Sequence, residues 1–92
     1  MRIGQVIGTV VATRKDERLV GTKLLVTVPV DIKGKPCGPA MVAVDMVGAG
    51  IGEQVIYTLG SVASRAYSDR HAPIDAVIVG IVDAIEEGVD SP

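Results

Sequence analysis

Aromatic side chains are almost missing from this sequence: two tyrosines, no phenylalanine and no tryptophan among 92 residues. A ring-walled ligand pocket or a base-stacking surface has little to be built from. Histidine and cysteine occur once each, as His71 and Cys37. One of each makes neither a zinc-binding set nor an intrachain disulfide, and such cysteine usage fits a reducing cytosol rather than a stapled secreted domain. Basic excess is missing too. The formal net charge is −2 and the pI about 5.2, which disfavours binding to phosphates or an anionic membrane. Apolar runs are cut by Gly, Asp or Thr well short of the ~20 residues that a membrane span needs. Met1-Arg2-Ile3-Gly4-Gln5 leads into a strand pattern rather than the apolar stretch of a leader.

What the sequence has in excess is aliphatic. Valine and isoleucine supply 16 and 9 of the 92 residues, and apolar residues make up 48%. With a mean hydropathy of +0.42, this composition excludes intrinsic disorder. Its length sets one domain, expected over residues 1–85, followed by an acidic tail over 86–92. A monomer of this size buries only ~60–65% of its unfolded surface. Aliphatic surface is therefore left over, and self-association is the natural way to cover it.

Five strands are expected. Residues 3–13 (IGQVIGTVVAT) form the first, with Gly4 and Gly8 allowing bends or close packing, and the charged tip Arg14–Arg18 follows. Residues 23–30 form the second, with Leu24, Val26, Val28 and Val30 on one face by period two. A Pro/Gly turn over 31–39 leads to a third strand over 40–46. The glycine-dense loop 48–52 leads to a fourth over 54–59. Ser61 can cap a short helix through about Tyr67, and Pro73 closes the break after it. The last strand spans 75–85. It is apolar on both faces, with Val77, Val79 and Ile81 on one and Ala76, Ile78 and Val82 on the other, which predicts a partner subunit against its outer face. Five strands and a helix in a chain this short suggest a small, OB-like β-barrel.

Chemistry-bearing patterns are weak. Gly48-Ala49-Gly50-Ile51-Gly52-Glu53 brushes against the dinucleotide-binding glycine pattern, but its third glycine is missing and it leads into a strand, so no helix N-terminus awaits a phosphate. A tight turn requiring positive φ is the plainer explanation. His71 is expected in a solvent-exposed loop. Cys37 sits in a turn near Lys33 and Lys35, without a second cysteine to resolve a disulfide. Asp45, Asp75 and Asp83 are placed to cap strand ends or bind turn amides, and Ser61 and Ser64 have no base beyond His71. No catalytic, cofactor-binding or metal-binding set emerges. An OB-type module for a small ligand or single-stranded nucleic acid is the alternative to a structural role. It would have to work with Tyr57 and Tyr67 alone.

Several blocks, in order, resemble the EutN/CcmL family of pentameric vertex proteins from bacterial microcompartment shells. They are Gly8-Thr9-Val10-Val11-Ala12-Thr13, Gly21-Thr22-Lys23-Leu24-Leu25-Val26, Asp45 with Val47-Gly48-Ala49-Gly50-Ile51-Gly52-Glu53, Gly60-Ser61, Pro73-Ile74-Asp75-Ala76 and Gly80-Ile81-Val82-Asp83. The likeness spans about residues 1–85. The chain departs from the family where Met46 replaces a frequent Asn and Gln54 a frequent aromatic. In Gly60-Ser61-Val62-Ala63-Ser64-Arg65 the arginine also falls one place late. The resemblance implies a five-stranded OB-like barrel that assembles as a cyclic pentamer, without enzyme activity or cofactor. It also implies hexameric and pseudohexameric shell proteins as partners, and the bacterial microcompartment shell as the location. The Gly48–Glu53 loop, Ser61 and Arg65 are expected at a subunit interface or near the fivefold axis.

Overall fold

The computed structural model describes residues 1–13, 15–60 and 73–88. Its strands are β1 (Arg2–Thr9), β2 (Lys23–Pro29), β3 (Met41–Asp45), β4 (Gln54–Leu59) and β5 (Ala76–Ile81). They close into a barrel in the order β1-β2-β3-β5-β4. Every neighbouring pair is antiparallel except β3 and β5, which run parallel over two residue pairs, Val44 with Val77 and Asp45 with Ile78. The expected helix over Ser61–Tyr67 lies outside the described residues.

Two strands end well before the residue their composition suggests. β1 ends at Thr9 rather than Thr13. Its last ladder bond runs from the Val10 amide to the Leu24 carbonyl, and β2 begins only one residue earlier, at Lys23. β5 ends at Ile81 rather than Ile85, because the Val82 amide bonds Gln54, the first residue of β4. Val and Ile favour extended backbone, but a strand stops where its partner stops.

The barrel is filled by Val6, Leu25, Ala43, Ala49, Val55, Tyr57, Ala76 and Ile78. Burying each large aliphatic contributes about 1.5–3 kcal/mol. Tyr57 is the one described ring, and it is fully buried. Gly4 makes room for it: a Cβ there would lie 2.7 Å from Thr27 Cγ2 and 2.8 Å from Tyr57 Cε1. The core face of β2 carries Leu25 and Thr27, so Leu24, Val26 and Val28 share the outer, half-buried face.

A second cluster joins Val44, Ile74 and Val77, with Leu19, Leu24 and Val79 against it. It changes the expectation for the last strand. Val77 is 0% exposed within the single chain, so part of that apolar face is already covered by Ile74 and its neighbours. The expected face Val77–Val79–Ile81 is also split. A bulge opposite Ile56 and Tyr57 leaves Val79 unpaired, and Ile81 turns to the main core while Val77 stays in the second cluster. The charged tip between β1 and β2 carries a 3-10 turn over Glu17–Leu19, capped by the Asp16 carboxylate, which accepts from the Arg18 amide.

Candidate functional site

Between β3 and β4, at one end of the barrel, the Gly48–Glu53 loop is tied down on both sides. Asp45, the last residue of β3, starts it. Asp45 Oδ1 accepts from the Val47 amide at 3.1 Å and Oδ2 from the Ala49 amide at 3.0 Å. Short polar side chains favour this kind of self-made turn. Lys23 sits directly opposite on β2. Its Nζ is 3.8 Å from Asp45 Oδ2 and donates to the Ala49 carbonyl. The Asp45 side chain is only 2% exposed. A carboxylate this buried needs paired charge and filled lone pairs, and Lys23 and the two amides supply them.

The far side of the loop is tied to β1. The Gly52 amide donates to the Val6 carbonyl at 2.8 Å, and the Val6 amide to the Glu53 carbonyl at 3.0 Å. Gln5 Nε2 reaches the Gly52 carbonyl at 3.3 Å, and Glu53 Oε1 accepts from the Gly50 amide at 2.7 Å. Gly48 and Gly52 take φ of 79° and 91°, the left-handed region where glycine costs least. Gly50 does not, and a Cβ there would meet only Glu53 Oε1, at 3.5 Å.

The loop thus has a buried half and a displayed half. The Ala49 methyl is part of the barrel core, whereas Ile51 at the tip is 67% exposed. Met46 and Val47, just before the loop, are also exposed apolar residues. Of the predicted site residues, the structure brings Gly48, Ala49, Gly50, Ile51, Gly52 and Glu53 together as one loop. Ser61 and Arg65 lie outside the described residues, as does His71. Lys23 was not foreseen at this site, because a cross-strand neighbour 26 positions away from Ala49 becomes visible only once register is known.

Other chemistry is not assembled. Among the described residues, no three His, Cys, Asp or Glu side chains gather as a metal site. Cys37 is exposed and unbonded at sulfur among them. Asp75 and Asp83 are exposed, and Asp45 is committed to amides and Lys23. Tyr57 lies inside the barrel, so it offers no stacking surface to a base. No described helix is long and apolar enough to cross a membrane.

Comparison with known proteins gives one answer. Residues 1–83 match the family described as ethanolamine utilisation protein EutN/carboxysome. The chain is 52% identical over 86 residues to the bacterial microcompartment shell vertex protein GrpN of Rhodospirillum rubrum, covering 94% of this chain and 97% of that one. It is 41% identical over 85 residues to the carboxysome shell vertex protein CcmL of Gloeobacter violaceus, covering 92% and 85%. Its fold superposes on the solved GrpN pentameric shell protein of Rhodospirillum rubrum with a TM-score of 0.85 at 51% identity, covering 96% of this chain and 100% of that one. Barrel and sequence agree: the chain belongs to the EutN/CcmL family of microcompartment shell vertex proteins, a structural family rather than an enzymatic one.

Proposed function

We propose that this chain closes into a ring of five that caps the vertices of a polyhedral shell. The Gly48–Glu53 loop then lies at the contact between neighbouring subunits or beside the fivefold axis, with Ser61 and Arg65 in the same contact zone. A sheet of hexagonal tiles is flat and closes only where fivefold units replace sixfold ones. Such a ring repeats one head-to-tail interface until rotation closes it. Its rim meets hexameric and pseudohexameric shell proteins. The function is carried by shape, with no substrate turned over.

One observation carries the placement of the loop: Ile51, 67% exposed, is held out by a loop whose amides are bonded on both sides of it. An apolar side chain displayed on an ordered support, beside exposed Met46 and Val47, fits a contact surface better than a solvent-facing turn. Gly50 offers the cleanest test, because its φ is not positive and the single chain has room for a Cβ there. Gly50→Val and Ile51→Asp should leave the barrel folded by circular dichroism yet reduce the ring to smaller species by light scattering. A native-sized ring in both variants would place the contact elsewhere.

A further inference from the structure

We infer that Asp45, together with Lys23, is the positioning pair that holds the Gly48–Glu53 loop in its contact-ready shape; this rests on the proposed place of that loop between subunits. Ala49 is the point of control. Its amide is held by Asp45 Oδ2 at 3.0 Å, its carbonyl by Lys23 Nζ, and its methyl by the barrel core. With nitrogen, oxygen and side chain all engaged, that residue has little freedom left. The Val47 amide, bonded to Asp45 Oδ1, fixes the approach to it. Beyond it the chain emerges at Gly50 and displays Ile51.

The chemistry asks for a carboxylate. Two amide N–H groups point at two different oxygens of one side chain. Asparagine supplies one acceptor and would turn its own NH2 toward the second amide. Lys23 matters for a matching reason. It brings the only side-chain cation bonded to this loop among the described residues, and that charge offsets the cost of keeping Asp45 out of water. A loop ordered before contact loses less conformational freedom when the subunits meet. The pair therefore acts on ring assembly from within each chain, by holding the loop in one shape.

The test uses the full chain with Asp45→Asn, Lys23→Met and Lys23→Arg. It reads two quantities: exchange of the Ala49 and Val47 amides against the strand amides of Val55 and Ile78, and the protein concentration at which the ring dissociates. Asp45→Asn and Lys23→Met should each speed loop-amide exchange and raise the dissociation concentration by about tenfold or more, as expected for one charge-assisted hydrogen bond lost. Strand amides should stay protected, and Lys23→Arg should restore most of the assembly. Unchanged exchange at Ala49 in both Asp45→Asn and Lys23→Met would overturn the role of the pair. Faster Ala49 exchange with unshifted dissociation would instead overturn the loop's placement at the interface. Lys23 is nearly half-exposed, so its variants keep the test readable if Asp45→Asn fails to fold.

Discussion

The side chain that says most about the barrel is Tyr57. In a protein nearly without rings, the one described ring fills the centre, and Gly4 exists opposite it because a methyl would overlap both Thr27 and the ring. Gly4→Ala should therefore lower stability by about 1–3 kcal/mol through overpacking, read as a drop in thermal midpoint at fixed protein concentration. The Tyr57 hydroxyl is buried with no hydrogen-bond partner among the described residues. Removing an unpaired buried hydroxyl relieves its desolvation cost, so Tyr57→Phe should hold or raise stability by about 1 kcal/mol. The same burial raises the hydroxyl above the ordinary 10.0, with Arg2 opposing the shift and Cys37 adding to it. The unfolded chain then ionises first. The stability tied to this group is whole below pH 10 and is lost as pH climbs through the raised folded value. Alkaline melting curves of wild type and Tyr57→Phe should therefore diverge above pH 10, and parallel curves would contradict the buried hydroxyl.

At the scale of elements, the number of strands and their places along the chain were legible, because runs of Val, Ile and Thr separated by Gly/Pro clusters have few other ways to fold. Two things were not. Alternation shows which residues of β2 share a face but not which face is inside, and here the inner set is Leu25 and Thr27 rather than the more aliphatic Leu24, Val26 and Val28. The bulges were also invisible. One extra residue at Val79 moves everything beyond it to the other face, and this is why Ile81 parts from Val77 and Val79 although β5 stays apolar on both faces. The loop at Gly48–Glu53 was legible from its glycines, and a turn-binding role for Asp45 from its position at a strand end. Lys23 was not, since cross-strand register has no local signature. The 3-10 turn before β2 offers an independent check. The Arg18 side chain and amide bonded to Asp16 hold its carboxyl down to about 2 from the ordinary 3.8. The support this gives the turn is present above pH 3.8 and lost as pH falls through about 2. Arg18→Ala should return the Asp16 titration, followed by NMR, toward the ordinary range. Because the pair is exposed, global melting should barely move.

At the scale of the molecule, the aliphatic surplus is partly absorbed by the second cluster around Val44, Ile74 and Val77. The remainder is displayed, at Ile7, Val42, Met46, Val47 and Ile51 among others. That division suits a small tile whose work is to be fitted against copies of itself. Small aliphatic residues let barrels approach closely, and the scarcity of rings leaves little for a substrate or a base to recognise. Ring formation is thus the property on which the rest depends, and the mass of the wild-type chain in solution tests it most directly. Sedimentation or native mass spectrometry should find five copies of the 9.5 kDa chain, about 47.5 kDa. A stable species at 9.5 kDa, or a closed assembly of any other stoichiometry, would contradict it.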